Sequence, residues 1–469
     1  MNFDNNYQKC LDKLIWATHQ LDVKVAQSQL ANLAKIIVQT MMGPWRYFHS
    51  IEHILEVGGS TDAIEVLAAL FHDIIYVQVD GSIPFNLTPY LAPFIEEERG
   101  KLFVRTDNPG ERDAIFELIA TLFKVAPGEE LFPFTGQNEF LSAIVAAKLL
   151  EPLLTPALIV QVVACIEATI PFRTQSDFGL SPSEELYQSL KSINQRFHFN
   201  LTSAELLETV KRSVRLANRD VGGFAHPSSA VFLSNTWKLL PETNHTLKKS
   251  ESYTVRDYRV AIQKMAVFIK FLNAELIFRR FRGEPDDRIY IHYVEQARRN
   301  LEVARLYLDS KLVANAILEA LSLRLGSDVP LTIMMGDFGD EPSSMGRLGD
   351  YFPTLINPHR PKTLLEREVC QLLAGGRAQS ISFDFKTSPL TSFVVQYIGF
   401  EGIFQMWQRT QEFFQGKITS EEFLARCDAD LVNIIIDGVA KLLEKRKVAL
   451  CRLYKPLSMN GVRQLQHEH

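Results

Sequence analysis

Apolar residues recur every three or four positions along most of the chain, and strand-like alternation is scarce. Such spacing places one face of a helix against a core, so it predicts helices in both halves of the sequence. Residues 62–76 are apolar almost all round, which predicts a deeply buried helix. A hydroxyl side chain followed three positions later by glutamate predicts further helix starts at Ser181, Thr202 and Thr419. The whole pattern predicts an all-α fold.

The segment from Gly43-Pro44 to Gly58-Gly59 is predicted to form one helix. Proline fits the first turn of a helix, and glycine commonly ends one. His49 and His53 stand four residues apart in this segment. On a helix they would lie on one face, one turn apart.

The chain has 469 residues, which exceeds the size at which a single core stays efficient. We predict a first helical domain over 1–285, a long helical segment over 286–325 and a C-terminal helical region over 363–469. The stretch 326–362 is rich in glycine and proline, and it is predicted to connect them. Residues 77–110, rich in turn-forming residues, are predicted to form an irregular excursion.

Composition and charge restrict the possible functions. The net charge of −5 argues against a broad basic surface for nucleic acid. Five scattered cysteines without a CxxC spacing indicate reduced core thiols. No targeting pattern is visible, and no apolar run approaches the length of a membrane span. We therefore expect a cytoplasmic protein with no membrane partner, whose C-terminal helices are a candidate surface for a homo-oligomer.

His72 and Asp73 stand in the middle of the apolar run 68–76. Burying such an ionisable pair is costly unless something pairs with it. A divalent metal ion would turn both side chains into ligands. The order His…His…His-Asp, followed much later by a lone aspartate, is typical of a metal-dependent phosphohydrolase.

The remaining members of this pattern are predicted to reach the same ion. His49 and His53 precede the pair, and the helix that begins after Thr202 ends near Asp220. Three helices could thus present imidazole and carboxylate ligands to one ion, which could be Zn, Fe, Mn or Mg. The metal would lower the pKa of a bound water and supply a hydroxide nucleophile. Arg46, one turn before His49, could hold a phosphate through its planar fork.

Four sequence elements resemble those of one known family. They are Arg46-Tyr47-Phe48-His49…His53-Ile54, then Ala69-Leu70-Phe71-His72-Asp73-Ile74-Ile75-Tyr76, then Asn138-Glu139…Ser142-Ala143, and finally Asn218-Arg219-Asp220. In this order they resemble the HD-domain superfamily, and within it the bacterial predicted metal-dependent HD phosphohydrolases. The resemblance covers roughly residues 10–280. It implies an HD-domain-like helical bundle, with the C-terminal region as an addition, one bound divalent metal ion and hydrolysis of a phosphoester.

The resemblance leaves the roles of two residues open. In many HD proteins the first histidine of the opening pair is a ligand. In the cyclic-nucleotide phosphodiesterases, which share a His-x-x-x-His opening, the second is the ligand and the first is a general acid. His49 and His53 therefore both belong to the expected site, one as ligand and the other protonating the leaving oxygen. Glu139 either binds a water or orients a ligand histidine, or it merely belongs to a helix start.

We expect the substrate to be a nucleotide or another small phosphorylated metabolite. The absence of histidines between Asp73 and His198 favours one metal ion over two. Three alternatives remain. The first is an HD protein that binds a nucleotide or second messenger without turnover. The second is an iron-dependent HD oxygenase, and the third is an interaction protein with a vestigial site.

Overall fold

The computed structural model describes residues 2–106, 113–248, 253–327, 329–336 and 346–453, the last nine of these by their backbone alone. The described chain is mostly helical, with one small three-stranded sheet. The prediction of a mostly helical fold is therefore confirmed. None of the described helices combines the length with the apolar character that crossing a bilayer requires.

The chain divides into two compact units. Unit 1 comprises Met1–His245 and Phe268–Glu302, and unit 2 comprises Thr246–Val267 and Val303–His469. This division differs from the predicted domains, because a segment of chain near residue 260 belongs to unit 2 and the predicted connection 326–362 lies wholly inside that unit. Hydrophobic periodicity reports which residues are buried, but it does not report against which distant segment they are buried.

The helices of unit 1 before residue 245 are these: α1 Phe3–Gln20, α2 Gln27–Met41, α3 Ile51–Val57, α4 Ala63–His72, α5 Val77–Asp80, α6 Thr88–Leu91, α7 Ala114–Phe123, α8 Gln137–Leu150, α9 Pro156–Ala168, α10 Pro182–Arg196, α11 Ser203–Asp220 and α12 Ser229–Thr243. Short 3-10 turns occur at Phe85–Leu87, Pro133–Thr135 and Gly222–Ala225. The strands are β1 Ile95–Glu98, β2 Lys101–Val104 and β3 Glu130–Leu131.

The remaining helices are α13 Val255–Phe271, α14 Ala274–Ile277, α15 Asp287–Ser322, α16 Leu331–Met335, α17 Leu364–Gly375, α18 Pro389–Phe414, α19 Ser420–Ala425 and α20 Ala429–Leu453, with 3-10 turns at His245–Lys248 and Leu348–Tyr351. The long helix predicted over 286–325 corresponds to α15. Helix α18 is interrupted at Gly399, whose φ of 71° only glycine adopts easily. In unit 2, α17 packs on α18, and α16 packs on α20.

Helix α4 is the centre of unit 1. Each of its residues is buried, and it contacts α1, α3, α8, α9 and α11. The Asp62 side chain accepts hydrogen bonds from the N–H groups of Ile64 and Glu65, which begins the helix. The predicted burial of 62–76 is therefore confirmed over α4. Helix α4 ends at His72, so His72 and Asp73 stand at the end of this buried element.

The segment predicted as an irregular excursion, 77–110, contains regular structure. It includes α5, α6 and an antiparallel hairpin in which Ile95 faces Val104 and Glu98 faces Lys101. The third strand pairs with the second, giving the order β1-β2-β3. Strands of four residues are too short to show clear alternation in a sequence, which explains why the hairpin was missed.

The helix predicted to begin at Pro44 begins instead at Ile51. Its cap is Ser50, which has an extended backbone and accepts a hydrogen bond from the N–H of His53. His49 therefore precedes the helix, and the prediction that it shares one helical face with His53 is wrong. The starts predicted at Ser181, Thr202 and Thr419 are confirmed, since each side chain caps its helix there.

Candidate metal centre

Four side chains from three helices of unit 1 converge on one point. They are His53 in the first turn of α3, His72 at the last position of α4, Asp73 directly after it, and Asp220 at the last position of α11. One nitrogen or oxygen atom of each lies within 4.8 Å of the corresponding atoms of the others. We call these four residues the His/Asp cluster.

The two histidines of the cluster face the same two carboxylate oxygens. His53 Nε2 lies 3.0 Å from Asp220 Oδ1 and 3.6 Å from Asp73 Oδ2. His72 Nε2 lies 3.3 Å from the same oxygen of Asp220 and 3.1 Å from the same oxygen of Asp73. The cluster thus has a single centre, at which the four donor atoms meet.

The orientation of His72 is set from its other side. Its Nδ1 lies 2.8 Å from the main-chain oxygen of Ala69, one turn earlier in α4. A carbonyl oxygen only accepts hydrogen bonds, so Nδ1 carries the hydrogen and Nε2 presents a lone pair to the cluster in the neutral ring. A backbone contact of this kind commonly orients a histidine that binds a metal.

The charges of the cluster leave room for a cation. Burial alone would lower the pKa of His72, but the carboxylates of Asp73 and Asp220 raise it well above its usual value. Burial would likewise raise the pKa of both aspartates, yet His72 and the other imidazoles hold their pKa values below the usual range. In addition, the buried Oδ2 of Asp73 accepts no hydrogen bond from any described residue. A positive charge at the centre would satisfy all these groups at once.

The donor set fits a divalent transition metal. Two imidazole nitrogens and two carboxylate oxygens suit Zn, Fe or Mn, and carboxylates also suit Mg. The side chains of His53, Asp73 and Asp220 are between 12% and 17% exposed, so the centre is reachable from solvent. A site of this kind can keep coordination positions open for water or a substrate.

Ion pairs fix the end of α11 and therefore the position of Asp220. The guanidinium of Arg219 donates to the main-chain oxygen of Val57 and to Glu65, both at 2.6 Å. Arg215, one turn earlier, donates to the other oxygen of Glu65 at 2.7 Å. Glu65 is a buried residue of α4, so these bonds tie α11 to the helix that carries His72.

A buried glutamate organises the turn before α3. One carboxylate oxygen of Glu242 accepts hydrogen bonds from the N–H groups of Tyr47 and Phe48, both at 2.7 Å, and of His49 at 3.0 Å. Its other oxygen lies 2.7 Å from Nδ1 of the His49 ring. Three backbone bonds and one side-chain bond from a fully buried carboxylate hold the turn in a single conformation.

His49 lies beside the His/Asp cluster and is not a member of it. Its ring centroid is 4.1 Å from that of Tyr76 and 6.3 Å from that of His53. Burial opposes its protonation, but Glu242 and Asp73 raise the pKa of His49 above its usual value. Of the two histidines expected in the site, His53 belongs to the group that could hold a metal ion, and His49 lies outside that group.

Arg46 is not placed to hold a phosphate, contrary to the sequence analysis. Its buried guanidinium pairs with Asp80 through two bonds of 3.0 and 2.6 Å. It also donates to the main-chain oxygens of Asp73 at 2.5 Å and Ile74 at 3.2 Å. Because these acceptors occupy the fork, Arg46 positions the chain that carries Asp73.

Helix α8 braces the same segment from the opposite side. Asn138 accepts a hydrogen bond from the N–H of Val77 at 3.1 Å and donates to the Gln78 side chain at 2.7 Å. Ser142, one turn later, accepts from the N–H of Ile75 at 3.1 Å. The residues after Asp73 are thus held by side chains from α8.

Glu139 lies next to Asn138 in the first turn of α8. Burial, together with the charges of Asp73 and Asp220, raises the pKa of Glu139 to about 7. Its Oε2 is buried and has no hydrogen-bond partner among the described residues. Glu139 thus belongs to a helix start, and its carboxyl group is influenced by the charges of Asp73 and Asp220.

Sequence reasoning missed Glu242 and Asp80. Glu242 follows only three apolar residues, Leu239, Leu240 and Pro241, near the end of α12, and Lys238 precedes them, so no apolar run singles it out. Asp80 gave no signal, because it lies in a polar turn-rich segment where acidic residues are ordinary.

No protein-family model, curated protein or solved structure matches this chain. The assignment of function therefore depends on the geometry of the site and on the motifs of the sequence.

Proposed function

We propose that this chain is a metal-dependent phosphohydrolase of the HD-domain type, acting on a nucleotide or another small phosphoester. The observation that carries the proposal is the convergence of His53, His72, Asp73 and Asp220 within 4.8 Å beside an oriented histidine. The order of these residues along the chain is also that of the family which the sequence resembles.

The four cluster residues would hold one divalent metal ion. Such an ion would act as a Lewis acid toward a water molecule and a phosphoryl oxygen. The aspartates provide the negative charge that retains a cation, and the histidines provide nitrogen donors that favour a transition metal. Their places at the ends of α4 and α11 and in the first turn of α3 keep the donor atoms in fixed positions.

His49 would move a proton at the leaving oxygen. Glu242 accepts at its Nδ1, so the carboxylate both orients the ring and stabilises the imidazolium form. Although burial opposes protonation, Glu242 and Asp73 raise the pKa of His49 above its usual value, which favours the protonated form that a general acid requires. Nε2, the other ring nitrogen, is the atom from which the proton would leave.

Glu139 would bind a water molecule at the edge of the cluster. With a pKa raised to about 7, its carboxyl group exchanges a proton easily at neutral pH. A group with these properties can accept a proton from water during attack on phosphorus. Glu139 would thus accept a proton from the attacking water, and His49 would donate a proton to the leaving oxygen.

The test combines elemental analysis of the purified chain with hydrolysis of a panel of nucleotides and phosphomonoesters. We expect about one divalent metal ion per chain and turnover of at least one phosphoester. Asp73→Ala should lose both metal and turnover while keeping its helix content. Asp12→Ala, an exposed carboxylate of α1, is the matched control and should retain both.

His49→Gln separates proton transfer from metal binding. It should keep the metal and lose about 10²- to 10⁴-fold in kcat, the usual contribution of a general acid. Full activity in Asp73→Ala would refute the proposal. Metal-loaded protein that binds a nucleotide tightly and hydrolyses none of the panel would instead support a binding protein without turnover, and iron with oxygen consumption would support an oxygenase.

A further inference from the structure

Two arginines of unit 1 cover the C-terminal end of α9. Arg173 donates to the carboxylate of Glu167 and, at 3.2 Å, to the main-chain oxygen of the same residue. Arg279 donates to the main-chain oxygen of Ile170. Arg173 thus binds a carbonyl group in the last turn of α9, and Arg279 binds one just beyond its end, so both arginines cap this end of the helix.

Capping uses only a small part of their donor capacity. A guanidinium carries five N–H donors, and within the described residues the Arg279 side chain makes one hydrogen bond and no ion pair. The buried Nε of Arg173 has no hydrogen-bond partner among the same residues. Burial, followed by the charge of Arg173, lowers the pKa of Arg279 to about 9. Arg173 is paired with Glu167, so among these two arginines it is Arg279 whose charge has no ion-pair partner in the described residues, and an oxyanion would stabilise it.

Glu139 links these arginines to the His/Asp cluster. Burial and the charges of Asp73 and Asp220 raise the pKa of its carboxyl group, while the charge of Arg173 lowers it. Glu139 in turn raises the pKa of Arg279 against the effect of burial. The beginning of α8, which carries Glu139, packs directly on the residue that Arg279 caps. A side chain at Gly136 would collide with that residue, Ile170.

The backbone of Arg279 is fixed by the helix that carries Asp220. Asn218 accepts a hydrogen bond from the N–H of Arg279 at 2.8 Å and donates to its carbonyl oxygen at 2.9 Å. Asn218 lies two residues before Asp220 in α11. The same element therefore positions a cluster residue and the arginine.

We propose that Arg279, assisted by Arg173, binds an oxyanion of the substrate beside the His/Asp cluster. This contact would take the place of the one expected from Arg46, whose guanidinium is bound to Asp80. That the oxyanion is a phosphate of a hydrolysed ester rests on the proposed function. The anion site itself stands on the two arginines and their unused donors.

The test measures binding of inorganic phosphate to the full chain by calorimetry, with and without divalent metal. Arg279→Gln should weaken phosphate binding about tenfold or more, because it removes charge-assisted hydrogen bonds. Arg280→Gln is the matched control, since it removes the same charge from the neighbouring residue, whose side chain is 65% exposed. It should bind phosphate as the parent chain does. For an ester that the chain hydrolyses, Arg279→Gln should raise KM more than it lowers kcat.

The outcomes separate this proposal from the proposed function. Phosphate binding that depends on Arg279, in a protein that hydrolyses nothing, would retain the anion site and refute the phosphohydrolase. Hydrolysis with equal phosphate affinity and KM in Arg279→Gln and Arg280→Gln would refute the anion site and retain the phosphohydrolase. A lower Tm of Arg279→Gln with unchanged phosphate affinity would show that the arginine only caps α9, which also refutes the site. If Arg279→Gln folds poorly, Arg279→Lys tests the site instead. It keeps the charge and should retain part of the phosphate affinity.

Discussion

At the scale of single residues, the state of the cluster depends on a proton or a cation at its centre. Two carboxylates and two imidazole nitrogens face one another at 3.0–3.6 Å. Without a positive charge, lone pairs would point at lone pairs, which is unfavourable in a partly buried place. In the metal-free chain a proton on His72 fills this role, and a divalent ion would replace it.

This exchange predicts how metal binding depends on pH. Burial alone would lower the pKa of His72, but Asp73 and Asp220 raise it well above its usual value of 6.5. Protonated His72 therefore stabilises the metal-free fold fully below pH 6.5, and this stabilisation is lost as the pH rises through the folded-state pKa. The aspartates have lowered pKa values and are already ionised, so the histidine supplies the proton that metal must displace.

We expect metal binding at about pH 7.5 to release protons and to tighten as the pH rises. Calorimetric titrations in buffers of different ionisation enthalpy measure the number released. Asp12→Ala, a change outside the site, should release the same number of protons as the parent chain. Metal binding without proton release, or with an affinity that falls between neutral and mildly alkaline pH, would contradict the assignment of His72 as a ligand.

At the scale of elements, short polar contacts place the site-bearing ends of helices. Arg46 joins the turn before α3 to the segment after α4 by binding Asp80 and the main-chain oxygens of Asp73 and Ile74. On the far side, α8 holds the same segment through Asn138. These bonds act together with the burial of Ile74 and Ile75 to fix the chain that carries Asp73.

Arg46→Met is expected to lower the free energy of unfolding by about 3–5 kcal/mol, since it leaves the carboxylate of Asp80 and two carbonyl groups without their partner. Urea denaturation followed by circular dichroism measures the change. The double variant Arg46→Met/Asp80→Leu should recover part of the loss, because it leaves no unpaired charge. A variant of unchanged stability with only a raised KM would show that Arg46 binds the substrate after all.

The elements also show where sequence patterns are reliable. The capping signals at Thr202 and Thr419 are local, because one side chain binds a backbone N–H three residues away, and they were predicted correctly. The start of α3 was predicted seven residues too early, at Pro44 rather than Ile51. Residues 44–50 are held in a turn by Glu242, which lies almost two hundred positions later, and no local pattern contains that interaction.

At the scale of the whole molecule, the chain forms two units, and the four cluster residues lie in the first. A ligand that binds only the folded state stabilises it by about 2.7 kcal/mol at a hundredfold excess over Kd. Metal should therefore stabilise the elements that supply the ligands, α3, α4 and α11.

Removal of metal by a chelator is expected to increase amide hydrogen exchange in peptides from α4 and α11. Peptides from α17 and α18, in unit 2, should exchange at unchanged rates. Hydrogen-exchange mass spectrometry of the full chain measures both sets in one experiment. Asp73→Ala is the control, because a chelator should have no effect on it. Equal changes in both units, or none in either, would contradict a metal centre confined to unit 1.

The sequence by itself determined which chemical groups are available and which helices carry them. His72 and Asp73 were predicted because an ionisable pair inside an apolar run signals itself locally, whereas His53 and Asp220 were predicted from the order of the motifs along the chain. Only the tertiary structure decided which contacts the other site residues make. It separates His49 from the cluster, pairs Arg46 with Asp80 and places Glu242 against the ring of His49. Those outcomes depend on distances of a few ångströms between segments far apart in the chain. Such distances are set by the packing of the helices, which hydrophobic spacing does not encode.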